Sequence, residues 1–248
     1  MIPQSVIQLS LFCKEVGLKH IVVSPGSRSA PLVLALSRMG GINLHTAMDE
    51  RSGGFMALGM AISIQKPVAL LCTSGTALLN YGPAIAEAFY QQVPLLILSA
   101  DRPPESIDQW DGQAIRQSGV FDLHTKFWAN MPSMDESESA IRHARYLINK
   151  AYFEATSFPK GPVHLNFPFR EPLYPSGDIQ FEAFDSPVAV QNFKSPLKLD
   201  SAVFHRFSEL FLSQSKRMVL IGQNPEDDEL KNSLLALTDY AQVVVAGD

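Results

Sequence analysis

From residue 21 onward, short apolar runs rich in β-branched residues alternate with longer segments of helical period. Ile21-Val22-Val23 is followed by helical spacing over residues 30–39, a strand-like run at 42–47, a helix over 52–64 and a strand at 68–72. The alternation continues with a helix over 77–91, a strand at 95–99, a helix over 136–155 and a strand at 163–167. Val68-Ala69-Leu70-Leu71 and Leu95-Leu96-Ile97-Leu98 are apolar at every position, the pattern of strands covered by helices on both faces of a parallel sheet. The predicted architecture is an α/β, doubly wound parallel sheet.

Between residues 171 and 199 the periodicity stops, and Pro172, Pro175, Pro187 and Pro196 punctuate the stretch. This predicts an α/β domain over 1–175, a linker over 176–197 and the start of a second α/β domain over 198–248. In that last part, helices are expected over 201–213 and 227–238, with strands at 218–221 and 243–245. About 50 residues are too few to bury an ordinary α/β core, so the second domain is expected to be truncated.

Composition narrows the function. The 248 residues are 46% hydrophobic and 18% charged, which excludes a disordered chain. A net charge of −5 offers no basic field for nucleic acid or an anionic membrane, so small molecules become the expected partners. Only Cys13 and Cys72 are present, and no Cys or His pair has zinc-ligand spacing. Met1-Ile2-Pro3-Gln4-Ser5 lacks a signal-peptide pattern, and the apolar runs are too short to span a bilayer. A cytoplasmic location is expected.

In open parallel sheets, ligands bind beyond the carboxyl ends of the strands, so the turns there carry the candidate chemistry. The first, Ser24-Pro25-Gly26-Ser27-Arg28-Ser29, offers hydroxyls and N–H groups at a helix start. Ser29 as N-cap and Pro31 would make it an ordinary turn, but Arg28 adds a fork suited to carboxylates. The second, Asp49-Glu50-Arg51, answers equally to dipole complementation at a helix start. Thr73-Ser74-Gly75-Thr76-Ala77 is a third hydroxyl and glycine turn, and Asp101-Arg102-Pro103-Pro104-Glu105 a fourth, where Arg102 equally fits a structural salt bridge. No G-x-G-x-x-G, P-loop, H-E-x-x-H or G-x-S-x-G pattern is present, and Gly54 and Gly59 are read as aids to close helix packing.

Taken together with Gln113-Ala114-Ile115-Arg116-Gln117 and Asn166-Phe167-Pro168-Phe169-Arg170-Glu171-Pro172-Leu173, these motifs occur in the order found in one family. The chain resembles the front part of the 2-succinyl-5-enolpyruvyl-6-hydroxy-3-cyclohexene-1-carboxylate synthases, thiamine-diphosphate enzymes of menaquinone biosynthesis. The resemblance implies a transferase that decarboxylates 2-oxoglutarate and adds the succinyl-semialdehyde unit to isochorismate. It implies that Glu50 hydrogen-bonds N1′ of the aminopyrimidine, with Pro25 and Thr76 near that ring, and that Ser27, Arg28, Arg102 and Gln113 contact substrate. Gly112 stands where some members carry a larger polar residue. The diphosphate and its Mg²⁺ or Mn²⁺ would be held by a later domain with a Gly-Asp-Gly and an Asn, and self-association as a dimer or tetramer is implied. These 248 residues alone are then expected to be inactive. Another thiamine-dependent carboligase or decarboxylase, or a non-catalytic anion-binding α/β module, fits the turns as alternatives.

Overall fold

The computed structural model describes residues 2–175, 177, 179–182, 189, 199–222, 227–241 and 243–247. The chain divides into two compact units, Met1–Asn192 and Phe193–Asp248. Most of the stretch expected as a linker, 176–197, lies outside the described residues.

The first unit opens with α1 (Gln4–Glu15), then β1 (His20–Val23), α2 (Ala30–Met39), β2 (Asn43–Thr46), α3 (Glu50–Ile64) and β3 (Val68–Cys72). Next come α4 (Thr76–Leu79), α5 (Gly82–Tyr90), β4 (Leu95–Asp101), β5 (Phe127–Asn130), α6 (Glu138–Thr156) and β6 (Val163–Pro168). The six strands form one sheet of order β2-β1-β3-β4-β6-β5, and every neighbouring pair is parallel. The doubly wound sheet read from the apolar runs is therefore found.

The period-2 alternation of the strands sorts the core into two layers. Ile21, Val23, Ala69, Leu71, Leu96 and Leu98 pack with residues of α1, α2 and α6 on one face. Their neighbours Val22, Val68, Leu70, Cys72, Leu95 and Ile97 pack with α3 and α5 on the other. Every residue of β3 and β4 is buried, as two covered faces require, whereas the edge strand β2 has none buried.

Three elements differ from the sequence expectation. The single helix expected over 77–91 is two, because Pro83 lacks an N–H and sits in the first turn of a new helix, α5. The break puts Tyr81 in the core, fully buried. Helix α1 was not expected: Ser5, Gln8 and Ser10 interrupt its apolar stripe although all three are buried. Strand β5 is only four residues with mixed burial and gives no period to read.

In the second unit, α7 (Ser201–Ser213), β7 (Arg217–Ile221), α8 (Asp228–Ala241) and β8 (Val243–Gly247) follow one another, and β7 pairs with β8 in parallel. No described residue of α7 is buried, and Phe204, Phe207, Leu210 and Leu220 are exposed. Among the described residues, no helix is long and apolar enough to cross a membrane.

Candidate functional site

After β2 the chain crosses back past β1 to form β3, so the carboxyl ends of β1 and β3 flank the point where the strand order reverses. The turns after β2, β1, β3 and β4 stand there side by side. Two contacts bind them closely. A Cβ on Gly26 would lie 2.4 Å from Thr73 Cβ, so the β1 and β3 turns touch with no room for a side chain at 26. Across the sheet, Tyr81 Oη lies 3.1 Å from Ser24 Oγ and 3.0 Å from the Leu71 carbonyl. Burial raises the Tyr81 pKa, and so does the negative charge of Glu50.

Glu50 is the first residue of α3 and is half-buried. The ordinary work of an acidic residue at that end is done by its neighbour: Asp49 Oδ1 accepts the Ser52 N–H at 2.8 Å, a bond that holds the Asp49 carboxyl below its usual range. Among the described residues, no hydrogen bond or ion pair reaches the Glu50 carboxylate. Its charge is nonetheless felt inside, at Tyr81 and at the buried Cys72 thiol, which burial foremost and Glu50 next push well up. Helix α3 approaches this closely because a Cβ at Gly54 would lie 2.8 Å from Ala84 Cβ. Gly59 has open space instead, so the packing role read for it is not found.

Pro25 and Ser27 are exposed on the β1 turn. Ser29 occupies the N-cap position of α2 without capping it: its hydroxyl donates back to the Gly26 carbonyl at 2.9 Å, closing the turn. Arg28 points inward and is only 6% exposed. Its Nη1 donates to the Phe169 carbonyl at 2.9 Å and its Nη2 to Glu171 Oε1 at 3.3 Å, so the guanidinium ties the β1 turn to the chain after β6. Burial and then the charge of Arg102 pull the Arg28 pKa down, while Glu171 and Asp101 oppose this. Two cations thus face one region.

Arg102 extends from the end of β4, and its Nη2 donates to the Gly112 carbonyl at 2.9 Å. A Cβ at Gly112 would enter open space, so it is the backbone of that residue that engages Arg102. Arg102 Nε and Ser74 Oγ are buried without a hydrogen-bond partner. Buried donors left unpaired are costly, and both lie on turns at this edge, a setting that suits an acceptor-bearing ligand. Thr76 is exposed at the first position of the short α4. Gln113 is exposed at φ 60°, and its Cα lies 3.1 Å from where a Gly75 Cβ would be.

A buried polar cluster underlies these turns. Asp101, Gln117, His164 and Asn166 are all buried. None of the four was singled out as a site residue from the sequence, although Asp101, Gln117 and Asn166 sit in its motifs. Burial raises the Asp101 pKa against the bonds from Asn166 and the Arg102 N–H. His164 Nε2 lies 2.7 Å from Ser99 Oγ, whose hydroxyl is 2.7 Å from Asn166 Oδ1, while Nδ1 has no partner. Burial lowers the His164 pKa from 6.5 to about 4. The folded state therefore refuses a proton that the unfolded state takes up below about pH 6.5, so stability is complete above that pH and is lost as pH falls toward 4. The loss amounts to about 3 kcal/mol. Urea unfolding of wild type and His164→Gln between pH 7 and pH 4 checks this: the variant loses less stability over the interval, and parallel curves would be the contrary result.

Among the described residues, no group of three or more His, Cys, Asp or Glu is placed to hold a metal ion. The site thus presents one unpartnered carboxylate, two facing arginines and unpaired donors around a turn-lined edge.

Residues 7–120, which include every candidate site residue, match the thiamine pyrophosphate enzyme N-terminal TPP-binding domain. The chain is similar to curated proteins named 2-succinyl-5-enolpyruvyl-6-hydroxy-3-cyclohexene-1-carboxylate synthase. One from Cytophaga hutchinsonii is 43% identical over 215 residues, 87% of this chain and 38% of the relative. One from Desulfotalea psychrophila is 40% identical over 233 residues, 94% of this chain and 43% of the relative. A third, from Flavobacterium psychrophilum, is 48% identical over 221 residues, 88% and 37% of the two chains. The chain spans roughly two-fifths of the length of these relatives.

Proposed function

We propose that the chain, whose residues 7–120 match the N-terminal TPP-binding domain of thiamine pyrophosphate enzymes and which is similar over most of its length to the 2-succinyl-5-enolpyruvyl-6-hydroxy-3-cyclohexene-1-carboxylate synthases, supplies the pyrimidine-binding side of such a synthase's active site. The observation that carries this reading is the free, half-buried carboxylate of Glu50 beside the switch point, with helix capping left to Asp49. The reaction proposed is decarboxylation of 2-oxoglutarate and transfer of the succinyl-semialdehyde unit to isochorismate. Thiamine diphosphate, when bound, supplies a thiazolium carbon that gives up a proton and stores the electron pair left by decarboxylation.

Glu50 holds a proton at N1′ of the pyrimidine. Half-buried and unpaired, its carboxyl is placed to exchange that proton with a ring nitrogen. Pro25 and Thr76, exposed on adjoining turns, border the same edge. Arg102 keeps an unpaired Nε for an anionic group, and Arg28 reinforces the positive field from below, with its fork shared between Phe169 and Glu171. Both substrates carry carboxylates, for which charge-assisted guanidinium bonds suit. Ser27 and Gln113, exposed at either end of the edge, add polar contacts.

The diphosphate and its Mg²⁺ or Mn²⁺ are assigned to a domain outside these 248 residues, with residues 198–248 as the start of a central domain joined by the linker at 176–197. Self-association as a dimer or tetramer and a cytoplasmic location complete the reading. Exposed Met48, Phe55, Met56 and Ile62, on or just before α3, support an apolar contact surface beside the site.

The test uses the full-length protein with thiamine diphosphate, Mg²⁺ and both substrates. Wild type forms the adduct, and Arg102→Ala raises KM for one anionic substrate by roughly 10- to 100-fold, the equivalent of one charge-assisted hydrogen bond. No thiamine-dependent product from the wild type would refute the assignment.

A further inference from the structure

The turns after β3 and β4 are joined by a chain of buried amides whose direction is fixed at both ends. The Gly75 N–H donates to Gln117 Oε1 at 2.7 Å. Gln117 Nε2 then donates to the Ala100 carbonyl at 3.0 Å and to Asn166 Oδ1 at 2.9 Å. Asn166 Nδ2 in turn donates to Asp101 Oδ2 at 2.7 Å and Asn130 Oδ1 at 3.0 Å. The other oxygen of Asp101 accepts the Arg102 N–H at 2.8 Å.

A backbone N–H can only donate, and a backbone carbonyl can only accept. Gln117 must therefore turn its oxygen to Gly75 and its nitrogen to Ala100. The Gln117 nitrogen, so fixed, can only donate, so Asn166 must turn its oxygen to Gln117 and its nitrogen to Asp101. Neither amide can flip without setting donor against donor or acceptor against acceptor. Gln117 is 1% exposed and Asn166 2%, so no solvent relieves a mismatch.

What the chain holds is specific. Gly75 has φ 84° and ψ −147°, a conformation that residues with a side chain rarely adopt, and Gln113 packs directly over it. Thr76 follows on one side, and Arg102 follows Asp101 on the other.

We propose that Gln117 is a positioning residue: its amide, oriented by Asn166 and Asp101, fixes the Gly75 turn that carries Thr76 and supports Gln113 at a set distance from the turn that carries Arg102. The functional consequence rests on the site reading given above; the structural one does not.

Gln117→Glu tests both. The substitution keeps the shape and keeps an oxygen for Gly75, but it turns the second oxygen onto Ala100 O and Asn166 Oδ1, two acceptors. Only the protonated acid restores the lost donor. The charged and titratable groups around it are Asp101 through Asn166, His164 through Ser99 and Asn166, and Arg102 through Asp101; burial and Asp101 both favour protonation. In the full-length, cofactor-loaded protein, Gln117→Glu is expected to lower kcat on the order of 10- to 100-fold at pH 8 with KM less affected, and to recover as pH falls to 6. Gln117→Ala stays slow throughout, and wild type shows no such recovery.

The second readout needs no activity. In Gln117→Ala the Gly75 amide exchanges with deuterium at least about tenfold faster than in wild type, once its acceptor is gone. If wild type proves inactive but Gly75 exchange responds, the functional assignment fails and the positioning role stands. A wild-type pH profile in Gln117→Glu, or unchanged Gly75 exchange in a folded Gln117→Ala, overturns the proposal. Should Gln117→Ala not fold, the pH recovery of Gln117→Glu decides alone.

Discussion

Glu50→Gln in the full-length, cofactor-loaded protein lowers turnover by roughly 10²- to 10⁴-fold, the range that general acid–base groups contribute, while cofactor affinity stays close to that of wild type. The asymmetry follows from what the side chain does and does not do in the fold. It caps nothing, because Asp49 accepts the Ser52 N–H. Among the described residues it pairs with nothing, so amidation breaks no internal bond. An amide of the same shape still hydrogen-bonds a ring nitrogen but cannot exchange a proton with it. Stability is expected to shift within about 0.5 kcal/mol, as for substitutions that remove no contact. Cys72 and Tyr81, whose pKa values burial foremost and the Glu50 charge further raise, stay neutral near pH 7 with or without that charge, so its removal adds no stability through them. Steady-state kinetics alongside urea unfolding separate the two effects. Lost activity with lost folding would contradict the assignment of Glu50 to chemistry.

The second large effect is structural. Gly26→Ala destabilises the first unit by about 1–3 kcal/mol, the usual cost of forcing an extra carbon into a filled space. The new Cβ would meet Thr73 Cβ at 2.4 Å, Cγ2 at 2.6 Å and Oγ1 at 2.7 Å. The nearest of these atoms is bonded directly to the backbone, so no rotamer of Thr73 clears the space and one turn must move. Because those turns carry Ser27 and Thr76, activity falls with stability. Thr73→Gly in the same chain vacates the position, so the pair is expected to be coupled by about 0.5–3 kcal/mol in a double-mutant cycle, measured by urea unfolding. Additive effects would show that the two turns do not press on one another.

How much of this is legible in the sequence depends on whether the signal is local. Strand β3 and the run Leu95-Leu96-Ile97-Leu98 of β4 announce themselves because burial on both faces leaves them apolar throughout, and α2, β3 and α7 start and stop where their patterns do. Helix α1 is hidden because its buried Ser5, Gln8 and Ser10 read as polar; at Ser10 the burial becomes intelligible once its hydroxyl is seen donating back to the Val6 carbonyl. The break between α4 and α5 was available in Pro83, whose meaning as a helix start was overridden by the apolar period around it. The site follows the same division. Its turns are visible as hydroxyl, glycine and arginine clusters after strands, since topology alone brings them to one edge. What spacing cannot give is partnership. Asp49 and Glu50 are adjacent acids, and only coordinates show that one caps and the other is free. Arg28 reads as a substrate contact, yet its fork also secures Phe169 and Glu171, residues about 140 positions away. Gln117 carries no chemical signature, because an amide's role lies in its orientation, and Asn166, which sets that orientation, is 49 residues distant.

The most direct test of Glu50 is the rate at which the thiazolium C2 hydrogen exchanges for deuterium in the full-length, cofactor-loaded protein without substrates. If the carboxyl at position 50 serves the pyrimidine nitrogen, Glu50→Gln slows that exchange by about 10²-fold or more with the cofactor still bound. An exchange rate equal to that of wild type would contradict it.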